Sequence, residues 1–128
     1  MKPEHVLLQE PMCNHTTFRI GGPADVLIFP TSMEAGSFVF QCLEKYQVPF
    51  VILGNGSNVL VLDKGIRGAV IKFNSHFSAI RKNGNTVTAG AGALLSDVSK
   101  FAAKSGLSGL EFACGIPGSI GGAVFMNA

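Results

Sequence analysis

Apolar residues in this chain fall in short runs cut by proline, glycine and asparagine, and their spacing alternates between continuous and helical. Asp25-Val26-Leu27-Ile28-Phe29 is a run of strand formers stopped by Pro30, which predicts a buried strand. Thr31-Ser32-Met33-Glu34 then has the spacing of a capping box. Met33, Phe38, Val39, Cys42, Leu43 and Tyr46 recur at helical intervals before Pro49, predicting a helix with one core face. Phe50-Val51-Ile52-Leu53 and Ala69-Val70-Ile71-Lys72-Phe73 predict two more strands, separated by turn signals at Asp63-Lys64-Gly65 and Arg67-Gly68. Ser78 to Arg81 and Thr86 to Ala89 flank Asn83-Gly84, a pair suited to the two positive φ angles of a type I′ hairpin turn. Leu94, Leu95, Val98, Phe101 and Ala102 return to helical spacing, and Gly106 fits the left-handed position past a helix end. Ser119 to Ala128 is small and apolar and is read as the start of another helix. A β-α-β opening followed by a hairpin and a helix predicts an α+β fold.

Composition narrows the function classes. At 128 residues the chain has room for one main unit with a true core. Apolar residues are 47% and charged residues only 14%, so disorder is not expected, and so thinly charged a surface suggests that part of it is normally covered. The formal net charge is +2, with Lys and Arg scattered, which leaves no footprint for nucleic acid or an anionic membrane. No apolar stretch approaches the roughly 18 residues of a membrane span, and Met1-Lys2-Pro3-Glu4-His5 lacks a signal-peptide core. A small-molecule partner and a cytoplasmic setting are therefore expected. Cys13, Cys42 and Cys114 are odd in number and widely spaced, which predicts buried thiols and neither a disulfide framework nor a zinc site; no metal is expected.

Chemistry concentrates in two glycine-rich runs. Gly54-Asn55-Gly56-Ser57-Asn58 follows a strand but is neither a Walker A loop nor G-x-G-x-x-G, because Val59 stands where the third glycine belongs. It offers backbone N–H groups, the Ser57 hydroxyl and the Asn55 and Asn58 amides, a donor set suited to a pyrophosphate without a cationic side chain. The alternative is a tight turn with Asx hydrogen bonds. Gly115-Ile116-Pro117-Gly118-Ser119-Ile120-Gly121-Gly122 presents backbone to something close, either a ligand or a packed element. If Gly56 faces a ligand, a β-branched residue there should reduce affinity more than stability. A third cluster, Asn14 to Pro23, holds Thr16, Thr17 and Arg19, which are candidates for ligand contact or for a structural role, and His15, read as a satisfied polar group. Glu111 is read as a solvated carboxylate, with orientation of the second run as the alternative. No spacing supports a catalytic triad or a carboxylate pair.

Taken in order, Asn14 to Gly22, Leu53 to Leu60 and Gly109 to Ala128 resemble the signatures of the UDP-N-acetylenolpyruvoylglucosamine reductases, also called UDP-N-acetylmuramate dehydrogenases, over nearly the whole chain. The resemblance implies an FAD-binding domain of the vanillyl-alcohol-oxidase type with two α+β lobes, about 1–73 and, in part, about 74–128. Gly54, Asn55, Gly56, Ser57 and Asn58 would bind the FAD pyrophosphate. Gly115, Ile116, Pro117, Gly118, Ser119, Gly121 and Gly122 would line the cofactor further, with Thr17 and Arg19 as cofactor or structural residues. It also implies NADPH as co-substrate and a UDP-sugar, UDP-N-acetylglucosamine enolpyruvate, as the substrate reduced to UDP-N-acetylmuramate for peptidoglycan. Family members continue into a substrate domain that carries the proton-donating serine and a late glutamate. The chain is therefore expected to be a truncated domain, inactive alone and without a catalytic residue. A different FAD oxidoreductase of the same fold and a non-catalytic nucleotide-binding module are the competing readings.

Overall fold

The computed structural model describes residues 2–128. Four strands, β1 (Val6–Pro11), β2 (Pro23–Ile28), β3 (Phe50–Leu53) and β4 (Ile66–Lys72), form one sheet in the order β1-β2-β4-β3. β4 runs parallel to both β2 and β3, whereas β1 is antiparallel to β2. Parallel neighbours cannot be joined by a tight hairpin. The helix α1 (Met33–Lys45) accordingly carries the chain from β2 to β3, and the 54–65 loop carries it from β3 to β4.

Ala69, Val70 and Ile71 of β4 have no exposed surface, as expected of a parallel strand covered on both faces. On one face Val70 joins Met12, Leu27, Leu53 and Val61. On the other, Ala69 and Ile71 join Ile28 and the α1 residues Val39 and Leu43. The core-facing stripe of α1 is thus Gly36, Val39 and Leu43, while Met33, Phe38 and Tyr46 are exposed, so half of the apolar residues at helical spacing belong to the outer surface. The helix is capped by Ser32, whose Oγ accepts from the Ala35 N–H at 3.1 Å. This shifts the expected cap from Thr31 by one residue and leaves Glu34 in the first turn, too early to close a reciprocal box.

β1 lies in a stretch that the apolar pattern leaves unassigned. It is an edge strand, paired only with β2, and its Gln9-Glu10-Pro11 end hides the alternation. β3, at the opposite edge, buries only Leu53 and leaves Phe50, Val51 and Ile52 largely exposed.

A second sheet is the hairpin β5 (Ile80–Asn83) and β6 (Thr86–Ala89). Asn83 pairs with Thr86, so the loop residues are Gly84 and Asn85, and only Gly84 has positive φ, at 60°. That is the pattern of a type II′ turn, not type I′, because the glycine occupies the first loop position. The helix α2 (Leu95–Lys104) buries Leu95, Val98 and Ala102, and it ends in a Schellman motif. Gly106 at φ 73° donates to Ala103, and Leu107 donates to Ala102. A short helix, α3 (Ile120–Met126), follows, with Val124 and Phe125 exposed. Cys13 and Cys42 are half-buried and Cys114 is exposed, so the expectation of buried thiols does not hold for the last. Among the described residues no helix is long and apolar enough to cross a membrane.

Leu27, wholly buried between β1 and β4, should be costly to truncate. Leu27→Ala is expected to lower the unfolding free energy by about 2–5 kcal/mol in denaturant titrations.

Candidate functional site

The two glycine runs, far apart in sequence, meet in space. Gly54 to Asn58 follows β3 directly, and the second run leads into α3. The Ser57 hydroxyl donates to the Pro117 carbonyl at 3.2 Å. Gly54 lies so close to the Ser119 hydroxyl that a Cβ there would collide with it, and a Cβ on Gly118 would stand 3.2 Å from the Ser57 Oγ. Gly118 has φ 140°, a backbone state that L side chains rarely adopt.

The second run is also stitched to the segment before α2. Ile120 donates to Ala93 at 2.8 Å, Gly121 to Ala91 at 2.8 Å, and Leu95 to Gly118 at 3.0 Å. Ser119 caps α3 by accepting from the Gly122 N–H at 3.2 Å. Glu111 is exposed, as a solvated carboxylate is, and accepts from the Gly109 N–H at 2.8 Å. Backbone N–H groups, its own and that of Gly109, hold its carboxyl below the ordinary value.

Residues 12–20 close the third side. The Thr17 N–H donates to the Gly56 carbonyl at 3.0 Å, with the Thr17 hydroxyl 3.4 Å from the same oxygen. The buried Thr16 hydroxyl donates to Ile20, bracing the same loop. Gly56 is buried at φ 71°, and a Cβ there would run into the His15 carbonyl. Its missing side chain is thus required by the protein's own backbone, which overturns the expectation that bulk at Gly56 would act mainly on a ligand. Arg19 is exposed, also in the left-handed region at φ 55°.

The geometry separates the candidates. Thr17 and Ser57 spend their hydroxyls on other loops, and Gly54, Gly56 and Gly121 admit close protein neighbours. Asn55 and Asn58 are exposed, and Gly115 faces open space, next to Ile116. The N–H groups of Asn55, Gly56, Ser57, Asn58, Gly118 and Ser119 donate to no acceptor among the described residues. Backbone donors clustered in this way call for an acceptor from outside.

The apolar pattern passes over two contributors. The Ala91-Gly92-Ala93 segment is visible in sequence only as small residues before a helix. Lys72, a lone cation at the end of an apolar strand, reaches within 3.5 Å of His15 Nδ1 and is half-buried, which lowers its pKa by desolvation. A basic group thus stands next to the 12–20 loop that packs on Gly56.

Comparisons with known proteins agree with this arrangement. Residues 24–128 match the family model described as the FAD binding domain. The chain is 56% identical over 125 residues to the UDP-N-acetylenolpyruvoylglucosamine reductase of Clostridium perfringens, covering 98% of this chain and 41% of that protein. It is 51% identical over 123 residues to the same-named protein of Bacillus subtilis, covering 96% and 41%. The crystal structure of UDP-N-acetylenolpyruvylglucosamine reductase from Thermus caldophilus superposes with a TM-score of 0.74 at 38% identity, over 96% of this chain and 41% of that one. The chain thus spans about two fifths of the length of these relatives. A glycine-run cradle rich in free backbone donors, an α+β fold and a family match over most of the chain converge: the chain belongs to the FAD binding domain family.

Proposed function

We propose that this chain is the cofactor-holding part of a cytoplasmic flavin-dependent reductase that uses NADPH to reduce UDP-N-acetylglucosamine enolpyruvate to UDP-N-acetylmuramate. The observation that carries the reading is the cluster of backbone donors without acceptors where the two glycine runs meet. A pyrophosphate fits it, because such a group presents several anionic oxygens and accepts without donating. The identity and length of the match to the reductases supports the reaction.

In this reading FAD, when bound, supplies the hydride chemistry, and the protein supplies position and charge. Asn55 to Asn58, Gly118 and Ser119 donate backbone N–H groups to the phosphates, and Gly115, Ile116, Pro117, Gly121 and Gly122 shape the wall beyond. Ser57 fixes one loop to the other, and Thr17 fixes the first loop to the 12–20 segment. The exposed Arg19 guanidinium, in no ion pair among the described residues, offers that segment a cation. The sheet up to residue 73 forms one lobe, and the hairpin with α2 and α3 forms part of the second. Catalytic acid and base are assigned to no residue of this chain.

Titrating the purified chain with FAD should quench flavin fluorescence saturably with one site. No saturable binding up to about 1 mM FAD, a binding free energy weaker than about 4 kcal/mol, would sink the proposal. Gly56→Val is expected to reduce stability by at least about 1–3 kcal/mol, from the left-handed backbone and the collision with the His15 carbonyl together, with FAD affinity falling alongside it. Unchanged melting temperature in that variant would contradict the packing of Gly56 against His15.

A further inference from the structure

His15 connects three elements through its ring and its backbone. Its Nε2 lies 2.9 Å from Glu10 Oε1 on β1, and its Nδ1 lies 3.5 Å from Lys72 Nζ at the end of β4. The ring also lies against Phe29, just past β2, with centroids 5.9 Å apart. Glu10, His15 and Lys72 are all partly buried. An ammonium only donates, and a carboxylate only accepts. Both contacts are satisfied together only by a neutral imidazole that carries its proton on Nε2, donating to Glu10 and accepting at Nδ1 from Lys72. Protonating Nδ1 would set two donors against each other.

Among the described residues Lys72 has no carboxylate partner of its own: Glu10 is taken by the His15 ring, and the other carboxylate–cation contact is Arg67 with Asp25. A half-buried cation held by a neutral ring is an expensive arrangement for the fold alone. It becomes intelligible beside a site built to take an anion. Lys72 is paired in register with Leu53, the residue before the first glycine run, and the carbonyl of His15 packs on Gly56 within that run.

We propose that Glu10, His15 and Lys72 form a positioning relay for the dinucleotide loop. The neutral ring pins the 12–20 segment under Gly56 and keeps the Lys72 ammonium facing the phosphate side of the site. This rests on the FAD reading of the same site. His15 and Lys72 are positioning residues: they act through the loop and through charge.

The test uses the full chain with FAD as probe. His15→Met and Lys72→Met are each expected to weaken FAD binding about tenfold, equivalent to about 1.4 kcal/mol. His15→Gln, whose amide donates and accepts as the ring does, is expected to recover most of that loss. Lys72→Met should keep or raise the melting temperature, since it removes a desolvated charge, so affinity would fall without stability. A purely structural contact cannot produce that split. Nitrogen-15 correlation spectra of the free chain should show His15 as the Nε2–H tautomer. Wild-type affinity in folded Lys72→Met, equal defects in His15→Gln and His15→Met, or a doubly protonated His15 at neutral pH would overturn the relay and leave the FAD reading standing. If the wild-type chain itself binds no FAD, both fall.

Discussion

Everything in the site hangs on the burial of β4 between two parallel neighbours. A strand dry on both faces must be flanked on each side and covered above and below. Here β2 and β3 flank it, α1 covers one face, and Met12 and Val61 help close the other. Because all three strands run the same way, their carboxyl ends emerge together. Phe29, the Gly54 loop and Lys72 are consequently delivered to one rim of the sheet without any long-range attraction between them. In open parallel sheets that rim is where ligands bind.

The second constraint is shortness of approach. The two glycine runs are joined by the Ser57 hydroxyl-to-carbonyl bond and by the close approach of Gly54 to Ser119, while Gly56 and Gly121 leave no room for a side chain against His15 and Ala91 of the neighbouring segments. Glycine therefore does two jobs here. At some positions it lets protein pack on protein. At Gly115 nothing of the protein lies within 4 Å of the absent side chain. Turn packing accounts for the glycines that protein crowds; ligand approach is the proposal for the rest.

Legibility from sequence followed the physics of each signal. Strands with continuous apolar runs, such as Val26 to Ile28 and Ala69 to Ile71, were readable because burial on both faces demands that composition. β1 was not, since an edge strand paired on one side tolerates Gln9, Glu10 and Pro11. The α1 cap moved by one residue because Thr31 and Ser32 both belong to the residue types that cap helices, and it is Ser32 that accepts from Ala35. The glycine runs stood out by themselves. That Ser57 would meet Pro117, or Lys72 meet His15, depends on loop paths that no local pattern encodes.

The bond from Ser57 to Pro117 spans sixty positions of chain. Neither run forms a cradle by itself, so the donors converge only when the whole chain is folded. A ligand held by both runs discriminates fully between native and unfolded states, and its binding free energy adds to folding stability by mass action. Under the proposed function, loss of the cofactor would then lower the chain's resistance to unfolding even where no reaction is at stake.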